Sequence, residues 1–453
     1  MRKFFPQQAF SQLIYRLVLP VILLLLAPRL IFKMLRRKDT LHGLLQRLGK
    51  FSPEEMALLH SHSNGIWIHA VSVGEVNIAV HLIKEWQQKY PSLPIFLTTT
   101  TSTGRAVAQN QLGTSVGVLY NPVDLLPVVS KFFDILKPKL IVLVESELWP
   151  NCLWEAERRA ISVALVNARV SKRSEKFYTL LSVLMEPLYD KISIICAQSH
   201  SDVERLLRLG ARKEAIRVVD SMKFDVSVVR DCSFQHMSEL LLRAGFPADA
   251  KILLGGSTHA GEEEVLAQIH KNLLPRFPNL RLILVPRHTE RCASIFRKLS
   301  KKGYKVVLKK QLDKMGANSH KDTDILLVDT TGELKYFYSV SDVTFIGKSL
   351  CGRGGQNFLE PIQFGHPVIV GPYVDNFAEL IDFFVSNNAI LQVNSVAGLE
   401  QAIVNCLEDP GSSKEMAMRA KNLFERRLGA TKRTIQALDP LVGPLLEGTH
   451  MPR

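Results

Sequence analysis

Short apolar runs recur along this chain, separated by segments with helical spacing. The first run, at 66–71, reads "IWIHAV". It is followed by "SVGE" and then by a stripe at Val76, Ala79, Val80, Ile83 and Trp86, which has the period of a helix buried on one face. Runs at 95–97, 140–144, 161–166, 192–197 and 216–219 continue the series. A second series occupies 252–254, 282–285, 306–308, 325–328, 343–346, 368–370 and 390–393. Between them "VSVVRDCSFQHMSELLLRAGFPADA" has no strand character and reads as a linker carrying a helix. Continuous apolar strands alternating with helices predict parallel sheets covered on both faces. The expected fold is therefore two doubly wound α/β domains in tandem. In such sheets a ligand sits beyond the carboxyl ends of the strands, and two such domains facing one another enclose a cleft.

The amino terminus has a different pattern. "LVLPVILLLLAP" (17–28) is almost unbroken apolar sequence between Arg16 and Arg29, followed by Lys33, Arg36, Arg37 and Lys38. No small-residue cleavage site follows, so a signal peptide is not expected. The run falls short of the roughly 20 residues of a spanning helix unless Leu13, Ile14 and Tyr15 or Leu30, Ile31 and Phe32 join it, in which case Arg16 and Arg29 would snorkel. It is read as a membrane anchor, spanning or interfacial, with the basic cluster on the cytoplasmic side.

Composition narrows the partners. Lys and Arg number 57 against 43 Asp and Glu, a formal charge of +14, which favours a polyanionic partner. No zinc-finger spacing or basic–aromatic interleaving points to nucleic acid, so an anionic membrane surface or a phosphorylated substrate is preferred. The six cysteines stand singly with no CxxC pair, which predicts neither disulfides nor a metal knuckle.

Candidate chemistry gathers after the strands. Glu75 follows the first strand at the opening of a helix, where the positive end of the dipole is expected to keep a carboxylate ionised and able to act as a general base. Gly74 is expected to allow a sharp turn and substrate approach. "LTTTTSTGR" (97–105), "VESELWPN" (144–151) with Glu145 and Glu147, "NARVSKRS" (167–174) with Arg169, Lys172 and Arg173, and "DSMKFD" (220–225) with Lys223 end other strands. In the second series "LLGGSTHAGEEE" (253–264) offers free N–H groups and hydroxyls for a phosphate, although Glu262, Glu263 and Glu264 oppose it. "LVPRHTER" (284–291), "DTTGEL" (329–334) and "KSLCGRGGQNFLEP" (348–361) add Arg287, a glycine pair, Asn357 as a cap and Glu360 as an acceptor for ribose hydroxyls. "KDTD" (321–324) precedes a strand and reads as a solvated turn.

Together "HAVSVGEV", "TTTTSTGR", "ESELWPN", "NARVSKRS", "MKFD", "GSTHAGEE", "VPRHTER", "DTTGEL", "GGQNFLEP" and "GATKRT" resemble the Kdo transferases over residues 40–435. The resemblance implies an inverting, metal-independent glycosyltransferase of the GT-B type, with two Rossmann-like domains. Such an enzyme moves 3-deoxy-D-manno-oct-2-ulosonic acid (Kdo) from CMP-Kdo to the lipid A precursor, lipid IVA, at the cytoplasmic face of the inner membrane in lipopolysaccharide synthesis. It implies Glu75 as general base and Glu145 with Lys223 as a transition-state-stabilising pair. It also implies CMP contacts from Pro286 and Arg287, from Thr331, Gly332 and Glu333, and from Asn357, Phe358, Leu359 and Glu360. No cofactor or metal is implied. The expected boundaries are 1–38 anchor, 39–225 acceptor-binding domain, 226–437 CMP-sugar-binding domain and 438–453 tail. The chain departs from the family at Lys348 (commonly glycine), Gln356 (histidine), Phe358 (proline) and the start of "DSMKFD". Two other readings remain from the sequence: another sugar-nucleotide enzyme of this architecture, such as a UDP-sugar transferase or epimerase, and a non-catalytic membrane-bound sensor of anionic lipid.

Overall fold

The computed structural model describes residues 5–36, 41–229, 235–315 and 322–447. The chain divides into two compact units, Met1–Val226 with Gly429–Arg453, and Ser227–Leu428. Each is built on a seven-stranded, all-parallel sheet.

In the first unit the strands are β1 (Ile66–Ala70), β2 (Ile95–Thr99), β3 (Gly117–Tyr120), β4 (Leu140–Val144), β5 (Ser162–Ala168), β6 (Ile194–Ala197) and β7 (Ile216–Val218). Their spatial order is β3-β2-β1-β4-β5-β6-β7. Ile66 of β1 stands beside Ile95 of β2 on one side and Leu140 of β4 on the other. Side chains alternate across the sheet, so Ile66, Ile68 and Ala70 enter one core while Trp67 enters the other. Burial on both faces is why β1 reads as continuous apolar sequence. β3 escaped the sequence reading because a glycine interrupts its short run. A Cβ on Gly117 would lie 2.5 Å from the Phe96 ring, so the neighbouring strand's aromatic occupies the place of a side chain.

The second unit contains β8 (Lys251–Thr258), β9 (Leu280–Pro286), β10 (Val306–Leu308), β11 (Ile325–Leu327), β12 (Val343–Ile346), β13 (Val368–Val370) and β14 (Leu391–Gln392), in the order β10-β11-β9-β8-β12-β13-β14. Here every run read from the sequence is a strand.

The expected boundaries at 437 and 438 need correction. The helix Ala430–Glu447 packs on the first unit, where Ala430, Ile435, Leu438 and Val442 join the core built by Val76, Ala79, Ile83 and Trp86. Asp439 accepts from Lys89 at 2.6 Å and from Tyr90 at 2.9 Å. Asp225 receives the returning chain, accepting the backbone N–H groups of Gly429 and Thr431 at 2.7 and 2.6 Å. Residues 429–447 are therefore a structural element of the first unit. Residues 448–453 of the expected tail lie outside the described residues.

The amino-terminal run extends into one 32-residue helix, Phe5–Arg36, about 48 Å long at 1.5 Å per residue. Its window Ala9–Leu26 has a mean hydropathy of 2.0 and is 6% buried, so it is long and apolar enough to cross a membrane. Arg16 has protein partners instead of snorkelling: its Nε donates to Asn151 Oδ1 at 3.2 Å and its guanidinium stands 5.6 Å from the Trp154 ring. Tyr15 Oη donates to Asp124 Oδ2 at 2.8 Å. Asp124 also accepts the amides of Asn151 and Cys152, and burial pushes its carboxyl up to about 7. One face of the helix is thus tied to the first unit by polar contacts. Arg37 and Lys38 of the basic cluster lie outside the described residues.

Candidate active site

Strand order places the site. In the first sheet the order reverses between β1 and β4, and in the second between β8 and β12. Such a switch point leaves a crevice at the strands' carboxyl ends, because the connections on its two sides depart in opposite directions. Glu75 follows β1 and Glu145 follows β4; Thr258 closes β8 and Lys348 follows β12.

"SVGE" is a capping box. Ser72 Oγ accepts from Glu75 N at 3.3 Å, while the Glu75 carboxylate accepts from Val71 N at 2.8 Å, Ser72 Oγ at 2.7 Å and Ser72 N at 3.4 Å. Glu75 is 8% exposed. Burial raises its pKa above the ordinary carboxylate value against the hydrogen bonds from Ser72 and Val71, and the charge of Glu145 adds to the rise. Desolvation of the nearly buried carboxylate thus works against the ionisation that the helix terminus was expected to favour. Gly74 makes no sharp turn either. It lies inside the helix, and a Cβ there would meet only Ser72 Oγ at 3.8 Å, so what it leaves is open space beside Glu75.

Glu145 has φ of 65°, a left-handed backbone that a non-glycine residue holds only under constraint. Its N–H donates to Val166 O at 2.9 Å, and its carboxylate accepts from Lys223 Nζ at 3.0 Å. Sequence reasoning missed Asn167. It is fully buried at φ 52°, its Nδ2 reaches Glu145 at 3.5 Å, and its Oδ1 accepts Met222 N at 2.9 Å. Asn167 therefore ties the Glu145 loop to the segment presenting Lys223. Its signals were a polar residue near the end of the apolar run "VALVNA" and its place at the head of "NARVSKRS", where only the basic residues were singled out.

Glu147 completes a carboxyl cluster. It is half-buried, and among the described residues it has no hydrogen-bond or ion-pair partner. Burial first, then the charges of Glu75 and Glu145, push it up to about 7. A carboxyl that holds its proton in the folded state up to about 7, but loses it near 4.5 when unfolded, makes stability fall as pH rises between those values. Glu147→Gln removes that slope. Urea denaturation at pH 5 and pH 8 should show the variant gaining on the wild type at pH 8, by about 3 kcal/mol at most. An equal stability difference at both pH values would mean that Glu147 titrates normally.

In the second unit Glu262 changes the expected phosphate site. Fully buried at the start of the helix Glu262–Leu273, its carboxylate accepts five backbone N–H groups: His259 and Lys348 at 2.8 Å, Ser349 and Leu350 at 3.1 Å, and Cys351 at 3.4 Å. Of the stretch 253–264 expected to offer amides to a phosphate, His259 N is thus occupied by the protein's own Glu262, together with the four amides of 348–351 at the same switch point. Glu263, equally buried, takes a bidentate contact from Arg291 at 2.9 and 3.0 Å and a bond from Thr258 Oγ1 at 3.0 Å. The loops after β8, β9 and β12 are joined through these two carboxylates.

Of the expected donor contacts, Arg287 and Thr331 are exposed and Gly332 has φ of 83°. Glu333 is held by Lys309 at 3.0 Å and by Thr330 Oγ1, and lines a cavity of about 520 Å³ with Arg243, Leu240, Tyr336 and His236. Asn357 Nδ2 donates to Glu360 at 2.9 Å and to Ser227 Oγ at 3.0 Å, and its Oδ1 caps Leu359 N at 3.2 Å. Burial raises the pKa of Glu360, opposed by Asn357 and by the charges of Arg287 and Lys335. Three expected contacts put their side chains in the core instead. Pro286 is buried; Phe358 packs 5.4 Å from the Phe384 ring, and Leu359 is buried beside it in sequence. Asp322 of "KDTD" pairs with Lys305 on the surface. Among the described residues no group of three or more His, Cys, Asp or Glu side chains is placed to hold a metal ion.

The family model for 3-deoxy-D-manno-octulosonic-acid transferase (kdotransferase) matches residues 42–226. The 3-deoxy-D-manno-octulosonic acid transferase of Haemophilus influenzae is 35% identical over 377 residues, covering 83% of this chain and 87% of that one. A probable mitochondrial 3-deoxy-D-manno-octulosonic acid transferase of Arabidopsis thaliana is 33% identical, covering 80% and 81%. Among solved structures, the UDP-GlcNAc 2-epimerase of Neisseria meningitidis bound to UDP-GlcNAc superposes with a TM-score of 0.56 over 83% of this chain and 99% of that one. At 14% identity that likeness is one of fold alone.

Proposed function

Since this chain belongs to the Kdo transferases and is a glycosyltransferase of two doubly wound domains, we propose that it transfers Kdo from CMP-Kdo to the lipid A precursor, lipid IVA, with Glu75 as general base. The observation that carries this reading is the carboxyl group at the first switch point. Glu75 stands after β1 on a rigid capping box, in a cluster with Glu145 and Glu147, and with Lys223 bonded to Glu145.

In the proposed reaction an acceptor hydroxyl oxygen attacks the anomeric carbon of Kdo from the face opposite CMP. Its proton passes to Glu75. The bond from the anomeric carbon to the phosphate oxygen breaks, and its electron pair leaves with CMP, inverting the centre. The leaving phosphate is already an anion, so it requires no strong acid. Lys223, oriented by Glu145, supplies positive charge where negative charge develops. Preorganisation matters here: the strained backbone of Glu145 and the buried Asn167 fix the ion pair before substrate arrives. The second unit would hold the donor through Arg287, the Thr331-Gly332-Glu333 turn, Asn357 and Glu360, with the backbone of Pro286, Phe358 and Leu359 framing it. No metal enters the proposed chemistry.

The helix Phe5–Arg36 would anchor the enzyme at the inner membrane, cytoplasmic side, bringing a chain of charge +14 to an anionic surface that carries the lipid acceptor. Incubation with CMP-Kdo and the tetra-acylated lipid A precursor, followed by mass analysis, tests the reading. The lipid should gain the mass of at least one Kdo while CMP is released. An unchanged lipid, or a chain that binds UDP and ignores CMP, overturns it.

A further inference from the structure

Glu262 takes the backbone amides of His259 after β8 and of residues 348–351 after β12, so an anion arriving at that switch point finds these donors engaged and side chains gain weight as its partners. Lys348 stands there. It follows β12 with φ of 58°, a conformation costly for a residue with a Cβ. Both its backbone groups are tied down: its N–H donates to Glu262 at 2.8 Å, and its C=O accepts from Gly355 N at 3.0 Å. Gly347 before it lets the loop press against β8, since a Cβ there would lie 2.4 Å from Ser257 O. The Lys348 side chain is half-buried, and among the described residues its ammonium has no hydrogen-bond or carboxylate partner. A constrained backbone presenting an uncompensated cation at a ligand crevice calls for an anionic partner.

The surroundings agree. His259 stands across from His288, rings 5.6 Å apart, and its Nε2 lies 3.3 Å from Gln356 Nε2. Burial lowers the imidazole's pKa below its ordinary value, and the charges of Lys348, His288 and Arg291 lower it further against Glu262. The neighbourhood is rich in positive charge, and its nearest carboxylates, Glu262 and Glu263, are fully engaged.

We propose that Lys348, with the His259 imidazole beside it, binds an anionic oxygen group of the sugar-nucleotide donor. This rests on the donor reading above. CMP-Kdo carries two such groups, the nucleotide phosphate and the ulosonic carboxylate next to the anomeric carbon, and the test separates them.

The full-length enzyme in detergent is assayed for CMP and cytidine inhibition constants and for the KM of CMP-Kdo, as wild type, Lys348→Met, Lys348→Arg and Lys348→Gly. Glycine suits the left-handed backbone, so that variant keeps the loop while removing the charge. Loss of a charge-assisted contact is expected to weaken binding roughly 10- to 100-fold in both the Met and Gly variants, with Arg restoring most of it. Cytidine should bind as before, a result that a merely loosened loop would not produce. If CMP and CMP-Kdo weaken together, Lys348 meets the phosphate; if CMP-Kdo alone weakens, it meets the sugar carboxylate. Met and Gly variants within twofold of wild type for both ligands overturn the proposal while the donor reading stands. A wild-type chain that does not bind CMP overturns the donor reading and this proposal with it.

Discussion

Glu75→Gln is expected to leave a folded protein that binds donor and acceptor but turns over roughly 10²–10⁴-fold more slowly, the usual contribution of a general base. Glutamine keeps the length of the side chain and one acceptor oxygen, but it cannot take the acceptor's proton. The change also has a structural price, because the carboxylate accepts from both Val71 N and Ser72. One of these bonds is lost, at about 1 kcal/mol, so the melting temperature should fall by a few degrees while the transition stays cooperative. A thermal melt and a steady-state rate on the same variant separate the two roles. Near-normal turnover with a lowered melt would leave Glu75 as a helix cap and nothing more. The wild-type pH profile provides an independent check. The base works only when ionised, and its pKa is raised by burial, so the rate should decline on acidification at a pH above the ordinary carboxylate range. A rate that holds until the pH reaches the ordinary Glu value would contradict the buried environment of Glu75.

The largest stability effect is expected at Glu262. Replacing it with alanine leaves five backbone N–H groups without their acceptor, that of Ser349 buried and the other four in partly buried surroundings. Each unsatisfied buried donor costs about 1–3 kcal/mol, and because relaxation and water entry relieve some of them, a total of about 4 kcal/mol or more is expected. Hydrogen exchange at Ser349, Leu350 and Cys351 should rise sharply in Glu262→Ala, and CMP binding should weaken because Lys348 loses its constraint. Glu262→Gln should lie between, since one oxygen remains an acceptor while the new NH₂ faces other N–H groups. Unchanged exchange at these amides in the alanine variant would show that the carboxylate is not what holds the loop.

The sequence alone determined the alternation of strand and helix and the division into two domains near 226. That information is local: a parallel strand buried on both faces is apolar nearly throughout, as "LIVLV" is and as "IWIHA" is apart from His69, and the polar residues after it lie at a carboxyl end whatever the rest of the chain does. Glu75, Glu145 and Lys223 were legible as candidates for the proposed site for the same reason, each lying in the segment that follows a strand's carboxyl end. Tertiary structure decided what those groups are bonded to and how buried they are. Whether the amides after β8 and β12 were free for a phosphate depended on Glu262 meeting residues 348–351 across the sheet. Whether Phe358 faced a ligand depended on Phe384, and the helix Ala430–Glu447 belonged to the first unit because Val76, Ile83 and Trp86 left a face for it to cover. Desolvation and hydrogen-bond occupancy are sums over neighbours brought together from distant parts of the chain, so the ionisation of Glu75 and Glu147 and the half-buried charge of Lys348 could be read only after the chain had been folded.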